Sequence, residues 1–279
     1  MLSTSAMAKT IRISGNRSAR RRLAAILAAL FCLIAAAPTA AENRQIAKLR
    51  AADRKSFTDD QIMEGFFKVT LAAEYRVAGR VDGIRKYDGP VRVYIENRAK
   101  PDRRQQVAEV VADIRAHVKN LDIAVTGDRS AANMIVTLVR NRDLNRTLTA
   151  FYGRDRSRDI QRSLDPQCLS SFHKDDTLRI LSSNVILVVD AGEFIFYDCA
   201  YEELLQAMGP INDDSSVPWT MFNDDVQKGF FDVYDQYLLN LLYHPRVRPG
   251  MTKPELRELI PQIMPEVRAW VAQVNRLEP

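Results

Sequence analysis

Leu23 to Ala37 is an unbroken apolar run of 15 residues, and Arg20, Arg21 and Arg22 stand directly before it. Small residues follow at Thr39, Ala40 and Ala41. A positive patch, a short apolar stretch and a small-residue site are the three parts of a secretory signal peptide. A bilayer-spanning helix needs about 20 apolar residues. The run is short for an anchor, so cleavage after Ala41 or Ala40 is expected, with no stable membrane anchor left behind. This constrains the fold twice: residues 1–41 drop out of it, and the remainder matures in an oxidising place, periplasmic or secreted. Cys32 leaves with the leader, and Cys168 and Cys199 remain as an even pair. A disulfide between them is expected. It would close a loop of about 31 residues and stabilise by roughly 3–4 kcal/mol on a chain-entropy argument. Two buried free thiols are the other possibility.

The leader also distorts the charge. The whole chain has 40 Lys and Arg against 35 Asp and Glu, a net of +5. Lys9, Arg12, Arg17, Arg20, Arg21 and Arg22 all lie in the leader, which has no acid. Without those six the balance is 34 against 35, a net of −1. A clustered basic surface is the footprint of a nucleic-acid binder, and no nucleic-acid partner is expected here. Arg140, Arg142, Arg146, Arg154, Arg156, Arg158 and Arg162 are interleaved with Asp143, Asp155 and Asp159. Alternating signs of this kind read as locally paired, solvated surface.

Residues 42–57 form a polar lead-in, and 58–279 read as a single domain. Thr58 and Gln61 make a capping box, opening a helix over 59–73. Asp88-Gly89-Pro90 turns the chain, and Val91, Val93 and Ile95 alternate with polar residues as a strand does. Val107, Val110, Val111, Ile114 and Val118 share one face of a long helix over 102–119. Ile123 and Val125 suggest a short strand, and 133–139 a better one. Residues 140–165 give no clear period. Leu178 to Val189 reads as a long strand, and Asp190-Ala191-Gly192 as a turn into a second short strand, Glu193 to Tyr197. A helix then spans 199–208, opening after Asp198 and ending at Gly209. Residues 210–222 are loop, Asp224 to Tyr243 mostly helix, and Thr252-Lys253-Pro254-Glu255 opens the last helix. This order points to an α+β domain with a mixed sheet.

Chemistry has few places to sit. His117, His173 and His244 are far apart and share no helical spacing, so no local zinc motif exists. No Gly-x-Ser-x-Gly elbow or Gly-rich phosphate loop is present, and no cofactor is expected. The informative stretch runs from Cys199 to Asp213. Set against His-Glu-x-x-His-x-x-Gly-x-x-His, the metzincin pattern, Glu202 stands at the first His and Glu203 at the Glu. Gln206 stands at the second His, Gly209 at the glycine and Asn212 at the third His. The spacing survives while all three metal-binding imidazoles are gone, so no zinc is expected. Arg248-Pro249-Gly250-Met251 could form a Met-containing turn below the site. Glu, Leu, Gln and Ala are also good helix formers, so a plain amphipathic helix explains the run equally well. Glu202 and Glu203 are the candidate catalytic carboxylates, and Gln206, Asn212 and Asp213 the candidate binding residues. Oxygen ligands from Glu202, Gln206 and Asn212 or Asp213 would suit a hard cation. Asp213, Asp214, Asn223, Asp224 and Asp225 read either as loop and cap residues or as further cation ligands.

The run Cys199–Asn212 resembles the signature segment of a proteobacterial secreted family, domain of unknown function 2927. So do Met221-Phe222-Asn223-Asp224-Asp225, Leu241 to Met251, and Gly89-Pro90-Val91-Arg92-Val93. The resemblance implies an envelope location and a zincin-like topology: a mixed sheet, a long helix, a degenerate active-site helix and C-terminal helices. It supplies no reaction. Family members of the lipoprotein type carry a lipidation cysteine; here bulky Phe31 precedes Cys32, where a small residue is wanted. The expectation is a non-catalytic binding or assembly module whose partner is an envelope protein or peptide. The alternative is a divergent hydrolase using Glu202 or Glu203 as general base, with a non-histidine metal site.

Overall fold

The computed structural model describes residues 43–71, 83–163 and 168–277. The expected leader and its expected cleavage site lie outside these residues. The compact unit begins at Asn43.

Helix α1 (Arg44–Ala52) lies in the polar lead-in, and its one buried residue, Ile46, joins the core. Helix α2 (Asp59–Leu71) starts at the expected capping box: Gln61 N donates to Thr58 Oγ1 at 3.2 Å, and Thr58 N donates to Gln61 Oε1 at 3.1 Å. Strand β1 (Val91–Asn97), helix α3 (Arg104–His117), β2 (Ile123–Val125) and β3 (Met134–Val139) follow as expected.

The aperiodic stretch is two helices, α4 (Asn141–Tyr152) and α5 (Arg154–Ser163). Their arginines pair locally, Arg146 with Asp143 at 3.1 Å and Arg158 with Asp155 at 3.6 Å. Strand β4 (Cys168–Lys174) has no counterpart in the sequence reading; β5 (Ile180–Val188) is the long strand.

These five strands form one sheet in the order β2-β1-β3-β5-β4. β4 alone runs antiparallel, at the edge. In β5, Val185 and Leu187 face the main core while Ile186 and Val188 face a second cluster under α4 and α5. A strand buried on both faces shows no alternation in sequence.

The expected strand Glu193–Tyr197 is instead the opening of helix α6 (Glu193–Gln206). Phe194 and Phe196 are buried, while Ile195 and Tyr197 pack partly buried against the same core. Such a helix is apolar nearly all round and loses its period. It starts directly after Gly192, whose φ is +110°. Asp198 is therefore inside the helix, and its carboxylate accepts from Lys228 N and Gly229 N.

The stretch expected as helix from Asp224 is helical only in α7 (Val233–Leu242). Asp232 caps it, accepting from Tyr234 N at 2.8 Å and Asp235 N at 3.1 Å. Lys228 Nζ reaches Asp232 at 2.9 Å, Asp53 at 3.1 Å and the Trp219 carbonyl at 2.7 Å. Burial alone would push this ammonium down, but Asp232, Asp235 and Asp53 outweigh it and hold it protonated.

Helix α8 (Lys253–Asn275) opens at the expected box, with Thr252 N donating to Glu255 Oε2 at 2.7 Å. It runs on through Pro261 and Pro265. Each proline forfeits a helical hydrogen bond, and the buried stripe Leu256, Ile260, Ile263, Met264 and Val267 holds the helix together.

An extended segment, Gly83–Tyr87, ties these parts together. Arg85 Nη2 donates to the Thr70 carbonyl at 2.6 Å, in the last turn of α2. Lys86 Nζ donates to the Leu242 carbonyl at the end of α7 at 2.7 Å and to the Val247 carbonyl in the turn beyond it at 2.9 Å. A cation is favourable at a helix C-terminus. Burial lowers Lys86 to about 8, so the charge is still present at neutral pH. Ser183 Oγ donates to the Ala207 carbonyl at 2.7 Å and accepts from the Tyr87 hydroxyl at 2.6 Å.

Helix α6 ends at Gln206 with Ala207 as its cap, two residues before Gly209. Gly209 has φ +142°, and a Cβ there would lie 2.3 Å from the Arg85 carbonyl oxygen. Only glycine allows both the backbone conformation and the contact. Gly209→Ala is expected to destabilise by roughly 2–4 kcal/mol, combining strain with a backbone clash. Urea unfolding checks this, and a loss under about 0.5 kcal/mol, the range of ordinary surface changes, would contradict the close approach.

Candidate functional site

The site sits on α6, which the fold fixes near its middle and at its end. Near its middle, Cys199 is joined to Cys168 of β4, with Cα atoms 5.8 Å apart. The expected disulfide is present and clamps the helix to the sheet edge. Near its end, Gln206 is buried and spans two elements. Its Oε1 accepts from Ser170 Oγ of β4 at 3.4 Å, and its Nε2 donates to Asp213 Oδ1 at 2.8 Å. After Gly209 the chain thus doubles back onto the helix it has just left.

The five candidate residues divide. Glu202, Gln206 and Asp213 come together. Carboxylate oxygens of Glu202, Asp213 and Asp224 all lie within 4.8 Å of one another. Asn212 turns the other way: its Nδ2 donates to the Lys68 carbonyl at 2.9 Å and its N to the Val69 carbonyl at 3.3 Å. It caps the last carbonyls of α2 rather than facing the cluster. The third-ligand position is offset by one residue because Asn212 is needed to dock the returning chain on α2. Glu203 is buried on another side of the helix. Its charge adds to the rise that burial causes at the Tyr152 phenol, which shares a 2.9 Å hydrogen bond with Ser171 of β4.

The wider acidic set also divides. Asp214 accepts from Ser216 N at 2.9 Å, and Asn223 donates to the Val217 carbonyl at 3.0 Å. Both residues shape the loop. Asp224 joins Glu202 and Asp213 from the exposed side.

Glu202 bears the electrostatic load. Burial raises its pKa well above the ordinary 4.5, and Glu203, Asp213, Asp198 and Asp224 push it further in the same direction. Such a carboxyl either keeps its proton or needs a nearby cation. Protonated, it can donate a hydrogen bond to a carbonyl or carboxylate.

No histidine joins the cluster. His117 ends α3 against Asp113, His173 is on β4, and His244 follows α7. The Arg248–Met251 turn is tied to the extended segment, Ile84 N donating to the Met251 carbonyl at 2.9 Å. Ser170 gave no signal in the sequence, and Asp224 stood only as one of several acids in its stretch: β4 is largely polar, and Asp224 is separated from Glu202 by a loop whose path only the fold determines.

The fold and site define a class: an α+β domain with a mixed five-stranded sheet, whose last parallel strand leads into a helix of clustered acid and amide groups. The chain belongs to the family described as protein of unknown function, DUF2927, whose family model matches residues 59–262. No curated protein matches the sequence.

A raised carboxyl has a defined consequence for stability. Between 4.5 and its higher folded pKa, Glu202 binds more proton in the folded state than in the unfolded one. Stability therefore falls as pH rises through that window. Glu202→Gln should leave stability at pH 4 nearly unchanged and raise it at pH 8 by about 1–3 kcal/mol, the usual cost of a poorly compensated buried polar group. Urea melts at the two pH values check this; an equal difference at both would contradict the raised carboxyl.

Proposed function

We propose that this protein is an exported envelope module on a zincin-like scaffold, which binds an extended protein or peptide segment and does no chemistry on it. The observation that carries this reading is the Gln206–Asp213 hydrogen bond at 2.8 Å. It brings the loop after the glycine turn back to the helix, and we read that return as the shape the histidine pattern would need, with Asp213 rather than Asn212 facing the helix. In that shape, acid and amide side chains stand where imidazoles would hold zinc. Without metal ligands of that kind, the fold offers binding geometry and no Lewis acid of the zinc type.

Export is supported by the leader pattern of residues 20–41 and by the Cys168–Cys199 disulfide. The binding mode is supported by β4. It is the outermost strand, antiparallel to β5, and the disulfide and Ser170 align it beside α6. An extended peptide can add to such an edge through main-chain hydrogen bonds, with side chains read by the neighbouring surface. A protonated Glu202 next to that surface would donate to the bound segment.

A second reading, a divergent hydrolase, is favoured by the convergence of Glu202, Asp213 and Asp224. Oxygen ligands of this kind suit a hard cation, and Glu202 or Glu203 would then act as general base.

One experiment separates the two. The purified protein is incubated with a pool of unstructured decapeptides, with and without calcium, and amide hydrogen exchange is followed. The binding reading expects slowed exchange across residues 168–174 and bound peptides recovered intact. Cleaved peptides, with cleavage lost in Glu203→Gln or Glu202→Gln, would replace it with the hydrolase. Unchanged exchange in β4 at saturating peptide would contradict it.

A further inference from the structure

A separate cavity of about 250 Å³ opens where the end of α3, the end of α7 and the middle of α8 meet. Its wall is the ring of Trp270, and its rim carries Lys119, Asn240, His244, Arg246 and Glu266. None of these residues takes part in the α6 cluster. We propose that this cavity binds a small ring-shaped acid of monosaccharide size, chemically a uronate, its ring against Trp270 and its carboxylate between Lys119 and Arg246.

The walls are fixed before any ligand arrives. Trp270 Nε1 donates to the His117 carbonyl at 3.0 Å. Asn240 Nδ2 donates to the same carbonyl and to that of Gln236, each at 2.8 Å, and its Oδ1 accepts from Lys119 N at 3.0 Å. Ring and amide are therefore held in place, and binding costs little ordering there. With its N–H committed to the His117 carbonyl, the indole lines the cavity with carbon atoms alone, an apolar wall suited to the C–H face of a ring.

The rim supplies charge. Lys119 Nζ lies 5.8 Å from the Trp270 ring centre. Arg246 Nη2 donates to Gln262 Oε1 at 2.6 Å, which uses one of the five guanidinium N–H groups. His244 Nδ1 accepts from Arg246 N at 3.2 Å, so the ring proton sits on Nε2, facing Glu266 Oε2 at 3.4 Å. Lys119 and Arg246 outnumber Glu266 by one positive charge, which a monoanion balances. Glu266 can accept from ligand hydroxyls. Drug-sized sites run to about 300–1,000 Å³; this one takes a single ring. A bare inorganic anion would leave the Trp270 face unused.

Saturation-transfer NMR on the purified protein tests this with D-glucuronate, D-glucose and acetate as probes. Expected is transfer to the glucuronate ring protons, with much weaker transfer to glucose and to acetate at equal concentration. Lys119→Ala combined with Arg246→Ala, both exposed positions, should weaken glucuronate binding about tenfold or more, as expected for lost charged hydrogen bonds. Thermal melts confirm that the variant is folded. No transfer to glucuronate, equal affinity in the variant, or glucose or acetate matching glucuronate would overturn the proposal.

Discussion

The arrangement around α6 depends on one close approach, Gly209 against the Arg85 carbonyl. That carbonyl belongs to a segment carrying two buried cations and a buried phenol in a row. Arg85 closes the end of α2, Lys86 the end of α7, and Tyr87 reaches through Ser183 to the end of α6. Helix C-termini expose carbonyls that must be satisfied, and here one short segment serves three of them. The helices are thereby brought to a common point, and the chain leaving α6 has room to turn only because residue 209 has no side chain. Everything that meets on the far side of the turn, Gln206 with Asp213 and Glu202 with Asp213 and Asp224, follows from it.

Two clusters of acids in the same domain differ in whether a buried cation stands among them. Around Lys228, a buried ammonium pairs with Asp53 and Asp232 and fixes the start of α7, while burial and Asp232 still raise Asp53 and raise Asp235 well above its ordinary value. Breaking a buried pair of this kind is costly because it strands the remaining charge. Around Glu202 the neighbours that raise its pKa are all acidic. A fold that keeps such a carboxyl there holds it ready to bind a proton, a cation or a hydrogen-bond acceptor.

Much of this was legible in the sequence, for definite reasons. The capping boxes at Thr58 and Thr252 and the apolar stripe of α3 act locally, and they predicted their helices. The spacing from Glu202 to Gly209 also carried real geometry, since Glu202 and Gln206 share a face and Gly209 turns the chain. What failed was non-local. The aromatic run after Gly192 reads as a strand because burial on several sides removes the helical period. Asn212 matched the ligand spacing but was drawn away to cap α2, leaving the place to Asp213. Ser170 could not be seen at all, because its role exists only where β4 lies against α6. Asp198, placed as a helix cap, instead holds the backbone at residues 228 and 229 from within α6.

The loop after Gly209 returns to α6 through Gln206 and Asp213, and the proposed function reads that return as the shape of a metal-binding corkscrew. It is tested most directly by putting imidazoles back. Glu202→His combined with Gln206→His should bind zinc with one ion per chain, because two histidines four apart share a helix face and Asp213 can complete the set. Adding Asp213→Ala should then weaken zinc binding about tenfold or more, as expected when a site loses a residue that ligates or orients. Isothermal titration with zinc reads both. Equal zinc affinity with and without Asp213 would mean that the returning loop does not reach the helix, and would contradict the account.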